Sequence, residues 1–111
     1  MKEGDVVLTP IPQADGIVKN RPAILLRELP RYRDFLVCGI STQVDKQVEG
    51  FDELIASSDS DFQLSGLRTT SVIRLGFLAV LPTQRIIGAI GSISPDRRAR
   101  LLSTLSDYLT R

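Results

Sequence analysis

At 111 residues, with 42% apolar side chains and one Cys, the chain suits a single domain over residues 1–111, built on one core without an internal disulfide. It has no His, which removes Ser-His and Cys-His catalysis and would leave any zinc site to carboxylates. Lys and Arg number 14 against 13 Asp and Glu, so the net charge of +1 excludes attraction of nucleic acid by overall charge and leaves only a local patch.

The opening Met1-Lys2-Glu3-Gly4-Asp5 lacks the apolar stretch of a signal peptide. Further on, Arg74, Arg85 and several glycines keep every apolar run short of a membrane span. Together with the lone Cys38, these features lead us to expect a cytoplasmic protein. Val6-Val7-Leu8-Thr9 predicts a first short strand, closed by Pro10 and Pro12, and Gln13 to Asn20 reads as an exposed loop. Ala23-Ile24-Leu25-Leu26 is a continuous apolar run, the pattern of a strand buried on both faces. Glu28 to Arg33 turns the chain, and Phe35 to Thr42 predicts the next strand. A short strand is expected within Val48 to Ile55, followed by a Ser- and Asp-rich loop over residues 56–65.

Thr69 to Leu81 predicts a long strand with Ser71, Ile73 and Leu75 on one face and Val72 and Arg74 on the other, bulged or bent at Gly76. Arg85 to Ile93 predicts a last strand. Ser94-Pro95-Asp96 then offers an N-cap, a proline at the first helical position and an acidic first turn. Leu101, Leu102, Leu105 and Leu109 fall on one helical face beyond it. The expectation is a mainly β domain of about five or six short antiparallel strands, curled into a sheet or barrel, with one C-terminal amphipathic helix.

Few residues stand out for chemistry. Arg21 lies where the exposed loop enters the buried strand. A charge there either snorkels and pairs with a carboxylate or offers a guanidinium to a phosphate. A hairpin of strands 21–28 and 34–42 turning near Arg31 sets Arg21 opposite Ser41, and a half-residue shift sets it opposite Thr42. These two hydroxyls point to opposite faces, so one alone shares a pocket with Arg21. Arg97, Arg98 and Arg100 read as a solvated helix surface in preference to a nucleic-acid footprint, and Cys38 as a small core residue.

Taken in order, Gly4-Asp5-Val6-Val7-Leu8, Arg21-Pro22-Ala23-Ile24-Leu25-Leu26, Ile40-Ser41-Thr42-Gln43 and Gly66-Leu67-Arg68-Thr69-Thr70-Ser71-Val72-Ile73-Arg74-Leu75 resemble the MazF/PemK family of toxin endoribonucleases. Ile90-Gly91-Ser92-Ile93-Ser94 and the helix after it are similar to the family's C-terminal end. The resemblance implies a small SH3-like antiparallel barrel of CcdB/PemK type with a terminal helix. It also implies a homodimer neutralised by a cognate antitoxin, which cleaves single-stranded RNA without a metal or other cofactor. By the same resemblance Arg21 is the catalytic arginine, and Ser41, with Thr42 beside it, takes a hydroxyl position that is usually Thr. Gln43 is then a substrate contact. The loop Pro12 to Asn20, with Asp15, Lys19 and Asn20, is the element over the site, and Ser71 and Arg74 take structural or groove-edge positions. Gly76-Phe77 stands where many relatives are polar or charged.

RNA brings its own nucleophile, the 2′-hydroxyl, so such an enzyme need only align the attack, stabilise phosphoryl charge and protonate the 5′-oxygen. Arg21 suits charge stabilisation, with proton donation as its second candidate role, and is a poor base. Ser41 or Thr42 would hold a phosphoryl oxygen. The base stays open, with Asp45 and Glu49 nearby in sequence. The expected products are a 2′,3′-cyclic phosphate and a 5′-hydroxyl. Two alternatives compete: a non-catalytic, CcdB-like gyrase-binding toxin, and a relative that keeps the fold without cleavage.

Overall fold

The structure, a computed structural model, describes residues 1–12 and 14–111. Its strands are β1 (Asp5–Pro12), β2 (Val18–Leu29), β3 (Asp34–Ser41), β4 (Glu53–Ile55), β5 (Ser71–Leu81) and β6 (Gly88–Ser92), followed by the helix α1 (Pro95–Leu109). All strand pairs are antiparallel and the order across the sheet is β4-β5-β3-β2-β1-β6. The sheet curls into a half-barrel whose edge strands β4 and β6 are not paired to each other. Between those edges lies the turn Gln63–Ser65, pressed so closely on β6 that a Cβ on Gly66 or Gly91 would strike the other segment's backbone.

The apolar run of β2 feeds two cores. Ile24 and Leu26 join Val6, Cys38, Ile40, Ile73 and Leu75 under α1, while Ala23 and Leu25 join Val7, Phe35, Val37 and Ile86. Burial on both faces is therefore borne out, and it follows from a sheet curled enough to enclose one face and covered by a helix on the other. Leu101 and Leu105 carry the helix's contact, Leu102 packs beside them, and Leu109 is left 69% exposed at the helix end.

Two expectations are corrected here. The first concerns the predicted loop: β1 runs on to Pro12 and β2 begins at Val18, so Lys19 and Asn20 are paired strand residues opposite Ile11 and Pro10. The prolines fit because Leu8 turns its carbonyl toward the β6 side, where it accepts from the Ile87 amide at 2.9 Å. Pro10 and Pro12 share that parity, and β6 pairs only as far as Leu8, so no partner strand misses their amides. Gln13 lies outside the described residues. The short strand expected within residues 48–55 shrinks to Glu53–Ile55.

The second correction is Arg97, which is buried at 5% exposure instead of solvated. Its guanidinium donates to Asp61 at 2.9 and 3.0 Å, Asp59 at 2.8 Å, Glu53 at 2.8 Å and the Leu54 carbonyl at 3.0 Å. Arg98 binds Glu3 and the Leu26 carbonyl, and Arg100 binds Glu53. The charge cluster on α1 is a clasp to the sheet and its loops. Ser94 caps the helix as expected, its side chain accepting from the Arg97 amide at 3.1 Å.

Candidate active site

A groove opens where the sheet forks. From Ala23 down to Leu25, β2 and β3 are paired with a constant index sum, Ala23 opposite Gly39 and Ile24 opposite Cys38. Pro22 has no amide hydrogen to offer β3, and the ladder ends there. Beyond it β2 stays with β1, with Thr9 opposite Arg21, while β3 stays with β5, with Ser41 opposite Val72. Continuing that register sets Arg21 level with Ser41 across the gap, one of the two partners the hairpin allowed; the register beside the turn would have set it level with Thr42, and the bulge between Leu25 and Arg27 makes the difference.

The resulting cavity of about 240 Å³ is lined by Ile11, Arg21, Gly39, Ile40, Ser41, Gln43, Arg74 and Phe77. Arg21, Ser41, Gln43 and Arg74, expected at the site from sequence, are thus brought together. Thr42 does not line this groove; it lines an adjoining, more apolar cavity of about 360 Å³ with Leu8, Pro22, Leu67 and Ile90, which shares Ile40 and Ser41 with the groove. Asp15, Lys19 and Asn20 are exposed on the β1–β2 hairpin and line neither cavity. Asp15 serves the turn itself, accepting from the Ile17 amide at 3.0 Å. Neither Asp45 nor Glu49 reaches the groove; Glu49 borders an apolar cleft near the end of α1.

The chemistry of the groove is cationic. It holds two guanidiniums, a hydroxyl and an amide, and none of its described lining residues is a carboxylate, His or Cys. Ser41 Oγ accepts from the Gln43 amide at 3.1 Å, which leaves the hydroxyl proton free for another acceptor. Arg74 Nε is buried without a hydrogen-bond partner. An unpaired buried donor costs about 1–3 kcal/mol.

Gly39, which sequence reasoning did not place, and Phe77, which the resemblance set where many relatives are polar or charged, complete the floor. In β5, Leu75, Gly76 and Phe77 bulge between Arg74, opposite Gly39, and Leu78, opposite Cys38. The bulge sends Leu75 into the core and lays the Phe77 ring on Gly39, where a Cβ would come within 2.9 Å of ring carbon Cδ1. Asp52 holds the bulge, accepting from the Leu75 amide at 3.1 Å and the Val48 amide at 3.0 Å. Gly76 signalled the bulge in the sequence, whereas nothing local in Gly50-Phe51-Asp52 announces its anchor.

The model of the PemK-like, MazF-like toxins of type II toxin–antitoxin systems matches residues 2–109. The chain belongs to this family. Its fold agrees with solved MazF-like structures. An endoribonuclease in complex with its cognate antitoxin, from a mycobacterial species, superposes with a TM-score of 0.73 at 14% identity, covering 99% of this chain and 95% of that one. The Mycobacterium tuberculosis toxin MazF-mt6 gives 0.68 at 19% identity, covering 96% of each chain. At such identities the likeness to each is one of fold. No curated protein matches in sequence. No helix among the described residues of this MazF/PemK toxin is long and apolar enough to cross a membrane.

Proposed function

We propose that this MazF/PemK-family chain is a sequence-selective endoribonuclease of single-stranded RNA, the growth-inhibiting toxin of a type II module. The observation that carries the reading is the meeting of Arg21, Ser41 and Arg74 in one groove, with no carboxylate among its described lining residues. A phosphodiester is the ligand such a donor set fits: fixed guanidinium forks for the phosphoryl oxygens and a hydroxyl to complete their coordination.

In the reaction, the 2′-hydroxyl of the substrate gives its proton to solvent water as its oxygen attacks the adjacent phosphorus, the bond to the 5′-oxygen breaks, and that oxygen, held by a hydrogen bond from Arg21, takes up a proton from water. Negative charge grows on the non-bridging oxygens, where Arg21 and Arg74 stabilise it and Ser41 donates its free proton in a hydrogen bond. Gln43 holds Ser41 through its amide and presents its side chain to the RNA. Arg21 also donates toward the departing 5′-oxygen. The products are a 2′,3′-cyclic phosphate and a 5′-hydroxyl. No metal is needed for a nucleophile the substrate already carries, and the donors of the groove are not metal ligands.

The partners follow the same logic. A cognate antitoxin would lay an acidic segment across the cationic groove and so exclude RNA. Two copies of this chain would pair through an apolar cleft lined by Val48, Phe51, Leu78, Tyr108 and Leu109, whose Leu109 and Tyr108 are exposed in the single chain. Incubating the purified protein with mixed single-stranded RNA in excess EDTA tests the activity, with Arg21→Ala alongside. Cleavage by the wild type alone, leaving cyclic phosphate ends, is the expected result. A 3′-hydroxyl with a 5′-phosphate would overturn the mechanism. Toxicity without cleavage would turn the reading toward a gyrase-binding toxin.

A further inference from the structure

We infer that Phe77 is a stacking platform for a nucleobase next to the phosphate in the groove, and that it makes the protein favour a purine at that position. The inference rests on the ribonuclease reading above. Phe77 is 42% exposed in a chain with only four Phe, two Tyr and no Trp, and it lines the same cavity as Arg21, Ser41 and Arg74. The ring is not a loose surface side chain. It packs against Gly39, the position in β3 where a Cβ would collide with its Cδ1, and the bulge that delivers it is tied down by Asp52. A held, half-exposed ring in a cationic groove has the design of a single-strand reader, in which arginines take the backbone and an aromatic ring takes a base.

The chemistry of phenylalanine sets the selectivity. Phe has no donor or acceptor, so it cannot read a Watson–Crick edge at this position, and it responds to the area and polarisability of the π-face. A purine offers the larger face. Stacking of this kind is worth about 1–3 kcal/mol per base, or roughly a tenfold to hundredfold change in affinity. Gly39 is then a specificity residue at one remove, because a methyl group there would push the ring off its seat.

The test uses the full chain and an oligo(dT) strand carrying one dA, which is moved along the strand. DNA lacks the 2′-hydroxyl, so binding is read without cleavage. The wild type should bind tightest with dA at a single register, and replacing that dA by an abasic site should weaken binding about tenfold or more. Phe77→Ala and Gly39→Ala should each level the difference between dA, dT and the abasic site, and the double variant should lose no more than either alone. Because the chain has no Trp, Phe77→Trp supplies a fluorophore at the platform, and the dA strand should quench it in a saturable way. Equal binding of all strands by the wild type, or an unquenched Phe77→Trp that still binds, would overturn the inference. Arg21→Ala separates the two readings. If Arg21→Ala loses binding while Phe77→Ala keeps the dA preference, the platform falls and the ribonuclease groove stands. If Arg21→Ala binds and cleaves as the wild type does, both fall.

Discussion

At the scale of single residues, the groove distinguishes two adjacent hydroxyls. Ser41, the last residue of β3, lines the groove with the arginines, whereas Thr42, just past the strand, lines only the neighbouring apolar cavity. Ser41→Ala should therefore lower kcat about tenfold to hundredfold, the weight of a hydrogen bond to a charged group. Thr42→Ala should stay within about twofold, as a substitution away from the reacting atoms does. Cleavage kinetics on one RNA compare them, and the reverse order would place the site in the neighbouring cavity. Arg74→Met should weaken RNA binding almost evenly across sequences and reduce the slope of log K against log salt by roughly 1, read from a salt titration. Cys38 is a contrasting residue: burial pushes its thiol up to about 12, so it packs as a small apolar group without thiolate chemistry.

At the scale of elements, the site depends on places where regular pairing fails. Pro22 ends the β2–β3 ladder and opens the fork, and the bulge at residues 75–77 brings Phe77 to the floor. The helix is held by an ionic clasp, and this gives a prediction with a definite sign. Hydrogen bonds from Arg97 hold the Asp61 carboxyl at about 2, below the 3.8 of an ordinary Asp. A carboxyl with a lowered folded-state pKa contributes its stability above pH 3.8 and loses it as the pH falls toward about 2. Arg97→Met leaves that carboxylate buried without its counter-charge, the Ser94 amide at 3.0 Å its remaining donor, which should cost about 3 kcal/mol at neutral pH. The deficit should shrink in acid, where Asp61 takes up a proton. Urea unfolding of both proteins at neutral pH and in acid measures this, and a deficit independent of pH would assign the loss to packing instead. Ser94→Ala should cost about 1 kcal/mol, the ordinary worth of an N-cap.

For the whole molecule, the apolar cleft beside α1, of about 650 Å³, leaves Leu109 at 69% and Tyr108 at 55% exposure. A charge at its centre, as in Leu78→Asp, should convert a dimer to a monomer in sedimentation and remove the concentration dependence of Tm. A wild type that sediments as a monomer at all concentrations would refute the pairing proposed above.

The main strands, the helix and its cap, and the buried run Ala23–Leu26 were legible because each rests on local pattern: period two, period 3.6 and a proline. The partner of Arg21 was not: the register beside the β2–β3 turn points to Thr42, and only the bulge between Leu25 and Arg27 shifts it to Ser41. The clasp around Arg97 was not legible, since Asp59, Asp61 and Glu53 lie 36 to 44 residues away along the chain. Neither was the seat of Phe77, which joins β5 to Gly39 of β3 and is braced by Asp52 from a separate loop. Chain order thus determined which elements form and which faces they bury. Only the folded sheet decided which charges pair with one another, as around Arg97, and which residues meet in the groove, because both depend on distances in space that no local spacing encodes.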